Sequence, residues 1–308
     1  MATITVEDLH LFHSIDRKIF SRLVVNSARN PAESLLVMAF WLWLEDLDFP
    51  GVIDKMMALS DSTVNALADE AAACLKRLES SKPNRNPRVS DEGNDMPLTS
   101  IVMGRAISSK LFCPNKFTAI SGIKSFLNKV CAIVFADILE QVLPDGSCRA
   151  SPDSSIPVPG FPHPTFGSIA VVPRSRDSAI PNAGLWGWSM ATEPPVDDRT
   201  MFLTFSRGYP VTEEEVRELF NSYYGDCVEA VRMVPPAAAS EQPLYARLVV
   251  RSVGTIDRVL SGGPIAKFRV NGKHVWARKY ERRDGERITL SNSNVLDPFG
   301  NNNVCNSD

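Results

Sequence analysis

Three short stretches in the last third of the chain carry side chains suited to recognition chemistry at regular spacing. MFLTFS at 201–206 holds Phe202 and Thr204, PLYARLVV at 243–250 holds Tyr245 and Arg247, and HVWARKY at 274–280 holds His274, Trp276 and Arg278. Alternate residues of a β-strand share a face, so with Met201, Leu203, Val275 and Ala277 pointing inward, these rings and guanidiniums point outward together. Val249 falls on the same side. Flat aromatic faces stack on nucleic-acid bases for about 1–3 kcal/mol each, and a guanidinium plane stacks similarly or holds a phosphate. With Arg232 and Lys279 the candidate binding set is Phe202, Thr204, Arg232, Tyr245, Arg247, Trp276, Arg278 and Lys279. Lys267, Arg269, Lys273, Arg278, Lys279, Arg282 and Arg283 form a basic run broken by one acid, Glu281, a local footprint for phosphate.

Other constellations are weaker. His10 and His13 lie three apart on a helix, but no Cys, Asp or Glu at matching spacing completes a metal set, and they read as surface or boundary histidines. Glu45, Asp46 and Asp48 read as a helix end running into a Pro-Gly turn, without the pocket that paired catalytic carboxylates need. SGGP at 261–264 follows a helix where a phosphate loop would precede one. The six cysteines form no CxxC pair and are too few to staple a chain of this size, which suits reduced thiols in nucleus or cytosol. The chain is expected not to be an enzyme, and no metal or cofactor is implied.

These candidates must be positioned by folded elements, and 308 residues with 44% apolar content suffice for two cores. A net charge of −3 excludes a uniformly basic coat. The N-terminus lacks the pattern of a secretory signal. LLVMAFWLWL at 35–44 falls well short of the roughly twenty residues that cross a bilayer, so a buried helix is expected and no membrane partner.

Residues 5–79 have helical periodicity. Leu9, Phe12, Ile15, Ile19 and Leu23 share one face of a first helix, Asn30 and Pro31 open a second through Leu44, and 60–80 reads as a third. Helical pattern resumes after a polar stretch near 80–97 and runs to Leu143. Ten prolines between 144 and 195 preclude a long helix there and predict an extended linker, with the tryptophans of LWGWSM at 185–190 docked on a folded surface. From Arg199 the order becomes strand, helix, strand, strand, helix, strand. Thr212 and Glu215 predict a capping box on the first of these helices.

On MFLTFS, PLYARLVV and this element order, residues 199–281 resemble the RNA recognition motif family, in which a hexamer on the first strand and an octamer on the third present rings to bases. Phe202 matches the hexamer's aromatic position, and Tyr245, Ala246 and Leu248 match the octamer. Pro243 and Leu244 replace its usual basic residue and glycine, Arg247 its second aromatic, and Val250 a frequent final aromatic. The resemblance implies a ferredoxin-like βαββαβ domain that binds single-stranded RNA. On the alternation of side chains, Trp276 on the neighbouring strand replaces the area that Arg247 removes. It covers little more than a quarter of the chain, and the helical part resembles no family.

A peptide-binding variant of that family has an acidic first helix and an Arg-x-Phe that receives a partner's tryptophan. Glu213, Glu214, Glu215, Glu218 and Phe268 fit this pattern, while Ala266 stands in place of the arginine. A second reading therefore stays open, in which the degenerate sheet or the Phe268 region binds a peptide or the protein's own helical domain. The expected whole is α+β: an all-helical domain over 1–145 with a polar loop near 80–97, a Pro-rich linker over 146–196, an RNA-recognition-like domain over 197–284 and a disordered tail over 285–308. It reads as an RNA-binding adaptor of nucleus and/or cytoplasm, whose tethered helical domain recruits a protein partner or self-associates.

Overall fold

A helix apolar on every side has no face to offer water, so LLVMAFWLWL has to be wrapped by other elements. The structure, a computed structural model describing residues 4–47, 49–80, 96–143, 155–180, 193–234 and 242–281, wraps it. In chain order the helices are α1 Val6–Phe12, α2 Ser14–Ser21, α3 Pro31–Asp46, α4 Val52–Met56, α5 Asp61–Glu79, α6 Pro97–Met103, α7 Lys116–Phe126, α8 Ala132–Val134, α9 Ala136–Val142, α10 Glu213–Tyr224 and α11 Val253–Leu260. Asn30 caps α3 by accepting from the Glu33 N–H at 3.1 Å, with Pro31 at the first helical position. Every residue from Leu35 to Leu44 is buried. Most of the polar loop near 80–97, LWGWSM, Arg282, Arg283 and the tail over 285–308 lie outside the described residues.

α7 lies against α3 through a small residue. A Cβ at Gly122 would stand 2.4 Å from Trp43 Nε1, so the close approach requires glycine. The run Cys113–Val134 is long and apolar enough to cross a membrane. Here it packs on α3, changing pitch in a π-helical turn at Leu127–Cys131.

Two expectations for the helical part need correction. The first helix is not continuous: His13, with φ −89° and ψ 26°, ends α1, and its Nδ1 meets Asp16 Oδ2 at 2.5 Å on α2. The break shifts the helical phase, so Leu9, Ile19 and Leu23 are buried while Phe12 is exposed; His13 itself is buried. Nor is the proline-rich segment a free linker where it is described. It is extended, as proline demands, but Ile156, Val158, Phe166, Val171 and Ile180 are buried in the same core as α3. Its strand-like hydrogen bonds run from the Ile156 N–H to the Val171 carbonyl (2.7 Å) and from the Ile180 N–H to the Ile4 carbonyl (2.9 Å).

The second core lies under a five-stranded antiparallel sheet, ordered β2-β3-β1-β5-β4, with β1 Thr200–Phe205, β2 Val228–Met233, β3 Tyr245–Val250, β4 Ile265–Val270 and β5 Lys273–Lys279. Met201, Leu203, Ala246, Leu248, Val275 and Ala277 face α10 and α11 and are buried with Val216, Phe220, Ile256 and Val259. The predicted capping box forms on α10: the Glu215 N–H donates to Thr212 Oγ1 at 3.2 Å and the Thr212 N–H to Glu215 Oε2 at 3.0 Å. β4 was not expected from the sequence. It pairs with β5 through a two-residue turn in which Asn271 (φ 48°) and Gly272 (φ 79°) take the left-handed conformation that such hairpins require.

The two cores meet across one helix end. Asp257 of α11 is only 4% exposed, and its carboxylate accepts from the N–H groups of Phe117 (2.8 Å) and Thr118 (2.9 Å) and from Thr118 Oγ1 (2.7 Å). These are first-turn groups of α7, which lack partners within their own helix, and the dipole there favours a negative charge. Phe117 packs on the core beneath the sheet, and Lys124 reaches Asp198 at 2.5 Å just before β1. The contact replaces the expected loose tether at this place.

Asp257→Ala would leave two amides and a hydroxyl without their acceptor, and urea titration should show a loss of about 1–3 kcal/mol. Asp257→Asn keeps one acceptor oxygen and should lose less. Gly122→Ala must displace the Trp43 indole, and the same titration should read a loss of about 1–3 kcal/mol.

Candidate nucleic-acid interface

Register decides which side chains share the sheet face opposite the helices. Phe202 is the Cα partner of Arg247 on β3 and of Arg278 on β5; Arg247 is in turn opposite Arg232 on β2, and Arg278 opposite Ile265 on β4. One row across all five strands therefore reads Arg232, Arg247, Phe202, Arg278, Ile265. The next reads Tyr245, Thr204, Trp276, Lys267, followed by His274 opposite Arg269. Seven of the eight expected residues, all but Lys279, stand together on this face.

The rings are close enough to act together. Phe202 and Tyr245 have centroids 5.5 Å apart and planes inclined by 30°, and His274 stacks on Trp276 at 5.7 Å. Tyr245 is 42% exposed, His274 is exposed, and Phe202, Thr204 and Trp276 are half-buried. Two guanidiniums lie on rings: Arg278 over Phe202 at 4.7 Å and Arg247 over Tyr280 at 4.8 Å. Either offers a planar cation at the surface on which a base would lie. Thr204, Ile265, Trp276 and Arg278 border a shallow recess between β1 and β4.

The opposite end of the same face is closed. Thr200 and Val249 are buried, the Thr200 hydroxyl donating to the Val196 carbonyl at 2.6 Å. Val249 thus points outward, as period two requires, without being open to solvent. Arg199, 3% exposed, pairs with Glu229 of β2 and donates to the carbonyls of Pro194 and Val250, both at 3.1 Å. Glu229 is the only acid in the five strands, and it shares Arg199 with Glu193, which the same guanidinium meets at 3.2 Å.

Lys279 departs from expectation. It follows Arg278 and so points to the other side, where its ammonium donates to the carbonyls of Asp197 (2.6 Å) and Thr200 (3.3 Å). Burial pushes the Lys279 ammonium down to about 8, with the carboxylates of Asp198 and Asp197 opposing the fall. It serves the junction with the helical part. Lys273 is likewise committed: it and Asn271 hydrogen-bond the Glu215 carboxyl, which with the Thr212 N–H is held at about 2. The basic run therefore divides by alternation, Lys267, Arg269 and Arg278 facing out and Lys273 and Lys279 facing back.

The sequence reading missed the contribution of β4, Tyr280 as the ring beneath Arg247, and Arg199 as the neutraliser of Glu229. The Asn-Gly pair after Val270 was the available signal for β4. Among the described residues no group of three His, Cys, Asp or Glu is arranged to hold a metal ion. Burial raises the thiol of Cys74 to about 12 and that of Cys131 well above its ordinary value, so neither supplies a thiolate near neutral pH.

Fold and face together define an α+β protein with an open, cationic and aromatic antiparallel sheet. No protein-family model, curated protein or solved structure matches the chain.

Lys279 gives this site a pH signature. Its folded value lies below its ordinary 10.5, so below about pH 8 both states are protonated and the folded state carries the full burial penalty. Between about 8 and 10.5 the unfolded chain binds more protons, so the Lys279 contribution to stability rises with pH. Urea titrations at pH 8 and pH 10 should show wild type gaining relative to Lys279→Met.

Proposed function

We propose that the protein binds short single-stranded RNA on this sheet and acts by binding, without catalysis, in the nucleus or cytoplasm. The observation that carries the reading is the Phe202–Tyr245 pair at 5.5 Å, partly open to solvent and bordered in register by Arg247 and Arg278. Two rings on adjacent central strands are the arrangement by which sheet-based readers stack successive bases. Outward cations beside them supply phosphate contacts that a net charge of −3 conceals. The resemblance of β1 and β3 to the hexamer and octamer of the RNA recognition motif supports the same reading, as does the central adjacency of those strands. α11 takes the helical part on the other side of the sheet, which leaves that part free to hold a protein partner while RNA is bound.

A second reading has one observation in its favour. Tyr223, 67% exposed, lies 6.0 Å from Phe268, which also meets Phe220 at 5.2 Å, an aromatic cluster on the α10 side suited to an apolar side chain of a peptide.

Fluorescence anisotropy of the full chain with a labelled pool of random short RNA, at two salt concentrations, tests the proposal. Phe202→Ala with Tyr245→Ala should weaken binding at least about thirtyfold, given about 1–3 kcal/mol per stacked base, with the circular dichroism spectrum unchanged. Arg232→Ala should chiefly flatten the salt dependence, by about one unit of slope. Undiminished binding by the double variant would place the site elsewhere, and Phe268→Ala would then be the variant to compare.

A further inference from the structure

The hydrogen-bonding character of the face bears on which bases it takes, an inference that rests on the RNA reading above. Five cations face outward on the described strands: Arg232 on β2, Arg247 on β3, Arg278 on β5, and Lys267 and Arg269 on β4. Guanidinium and ammonium groups donate and never accept. The only carboxylate in the strands, that of Glu229, is paired with the buried Arg199, and the strands contain no Asn or Gln. On the strands Thr204, Tyr245 and His274 are the outward groups that can accept as well as donate, joined by the Tyr280 hydroxyl just past β5. The face thus presents donors in excess, two of them guanidiniums within 5 Å of ring centroids, Arg278 at 4.7 Å and Arg247 at 4.8 Å.

Bases differ in what they offer to such a face. Guanine presents two adjacent acceptors, N7 and O6, which match the fork of an arginine; adenine places an amino donor beside its N7, and cytosine presents an amino donor. A donor-rich face meets a donor-bearing edge with an unmatched pair, and a desolvated donor without an acceptor is costly. Uracil, with carbonyl oxygens and no amino group, avoids that conflict. Arg247 and Arg278 flank Phe202 in register, and the Arg278 guanidinium lies over the Phe202 ring at 4.7 Å, so a base that takes its place on the Phe202–Tyr245 pair has an arginine on the strand to either side.

We infer that the sheet selects keto bases and above all guanine, with Arg247 and Arg278 reading the N7/O6 edge of a base stacked on Phe202 and Tyr245. Stacking alone would favour purines over pyrimidines and would not separate guanine from adenine, whereas donor matching does.

The test is competition anisotropy with the full chain, comparing twelve-nucleotide GU-repeat and AC-repeat RNAs of equal purine content, in lithium buffer to prevent guanine tetrads. The GU repeat should bind about tenfold more tightly or better, the discrimination of one good bidentate pair. Replacing guanine by 7-deazaguanine should remove most of that advantage. Arg247→Lys with Arg278→Lys keeps the charge but loses both forks; it should bring the two repeats within about twofold of each other, chiefly by weakening the GU repeat, with the salt slope near wild type. Equal binding of both repeats by wild type, or tighter binding of the AC repeat, overturns the inference and leaves the RNA reading intact. A GU advantage that survives both the base analogue and the double lysine variant overturns the assignment to these arginines. Failure to bind either repeat removes the RNA reading, and the base preference with it.

Discussion

The arrangement depends on one buried carboxylate. Asp257 lies on the apolar side of α11, where an ionised group is tolerable only if donors meet it, and the donors are the first amides of α7 in the other core. The bond works for both partners: it ends α7, whose own Asn115 makes no side-chain cap, and it compensates a charge that the core beneath the sheet could not otherwise hold. Because α11 is committed to this contact, the helical part lies on the helix side of the sheet. The opposite face is left to solvent.

Alternation along the strands then sorts charge. In a chain with slightly more acids than bases, the outward positions collect guanidiniums and rings, while the acids near the sheet are drawn aside. Glu215 takes Lys273 and Asn271, and Glu229 takes Arg199. Each pairing holds a carboxylate against a cation, Arg199 being shared with Glu193. The same alternation explains why neighbours as similar as Arg278 and Lys279 serve different ends, one lying on a ring at the open face and the other fastening β5 to the backbone just ahead of β1.

Much of this was legible in the sequence wherever a signal is local. The burial of LLVMAFWLWL follows from its composition, and the caps at Asn30 and Thr212 follow from residue type at fixed spacing. The outward set Phe202, Thr204, Tyr245, Arg247, Trp276 and Arg278 follows from period two. What escaped is mostly non-local. Nothing near Pro157 or Pro164 reveals that Ile156 and Phe166 fill gaps between distant helices, so composition reads as linker. The break at His13 overrides a periodic stripe that would otherwise bury Phe12. Asp257 did leave a trace, an acid amid Val253, Ile256, Val259 and Leu260 on a short helix, but its partner lies 140 positions earlier. The Asn-Gly turn after Val270 was a local signal that went unused.

That separation has a consequence for how the chain is made. During synthesis α7 leaves the ribosome well before α11, so the Phe117 and Thr118 amides spend that interval without Asp257 and Phe117 without its packing. The helical part is therefore not a finished unit when its own last residue has been added. A message cut short between the codons for α7 and the codon for Asp257 yields a product with an uncapped α7 and an exposed ring beside it, the kind of surface that chaperones and proteases recognise.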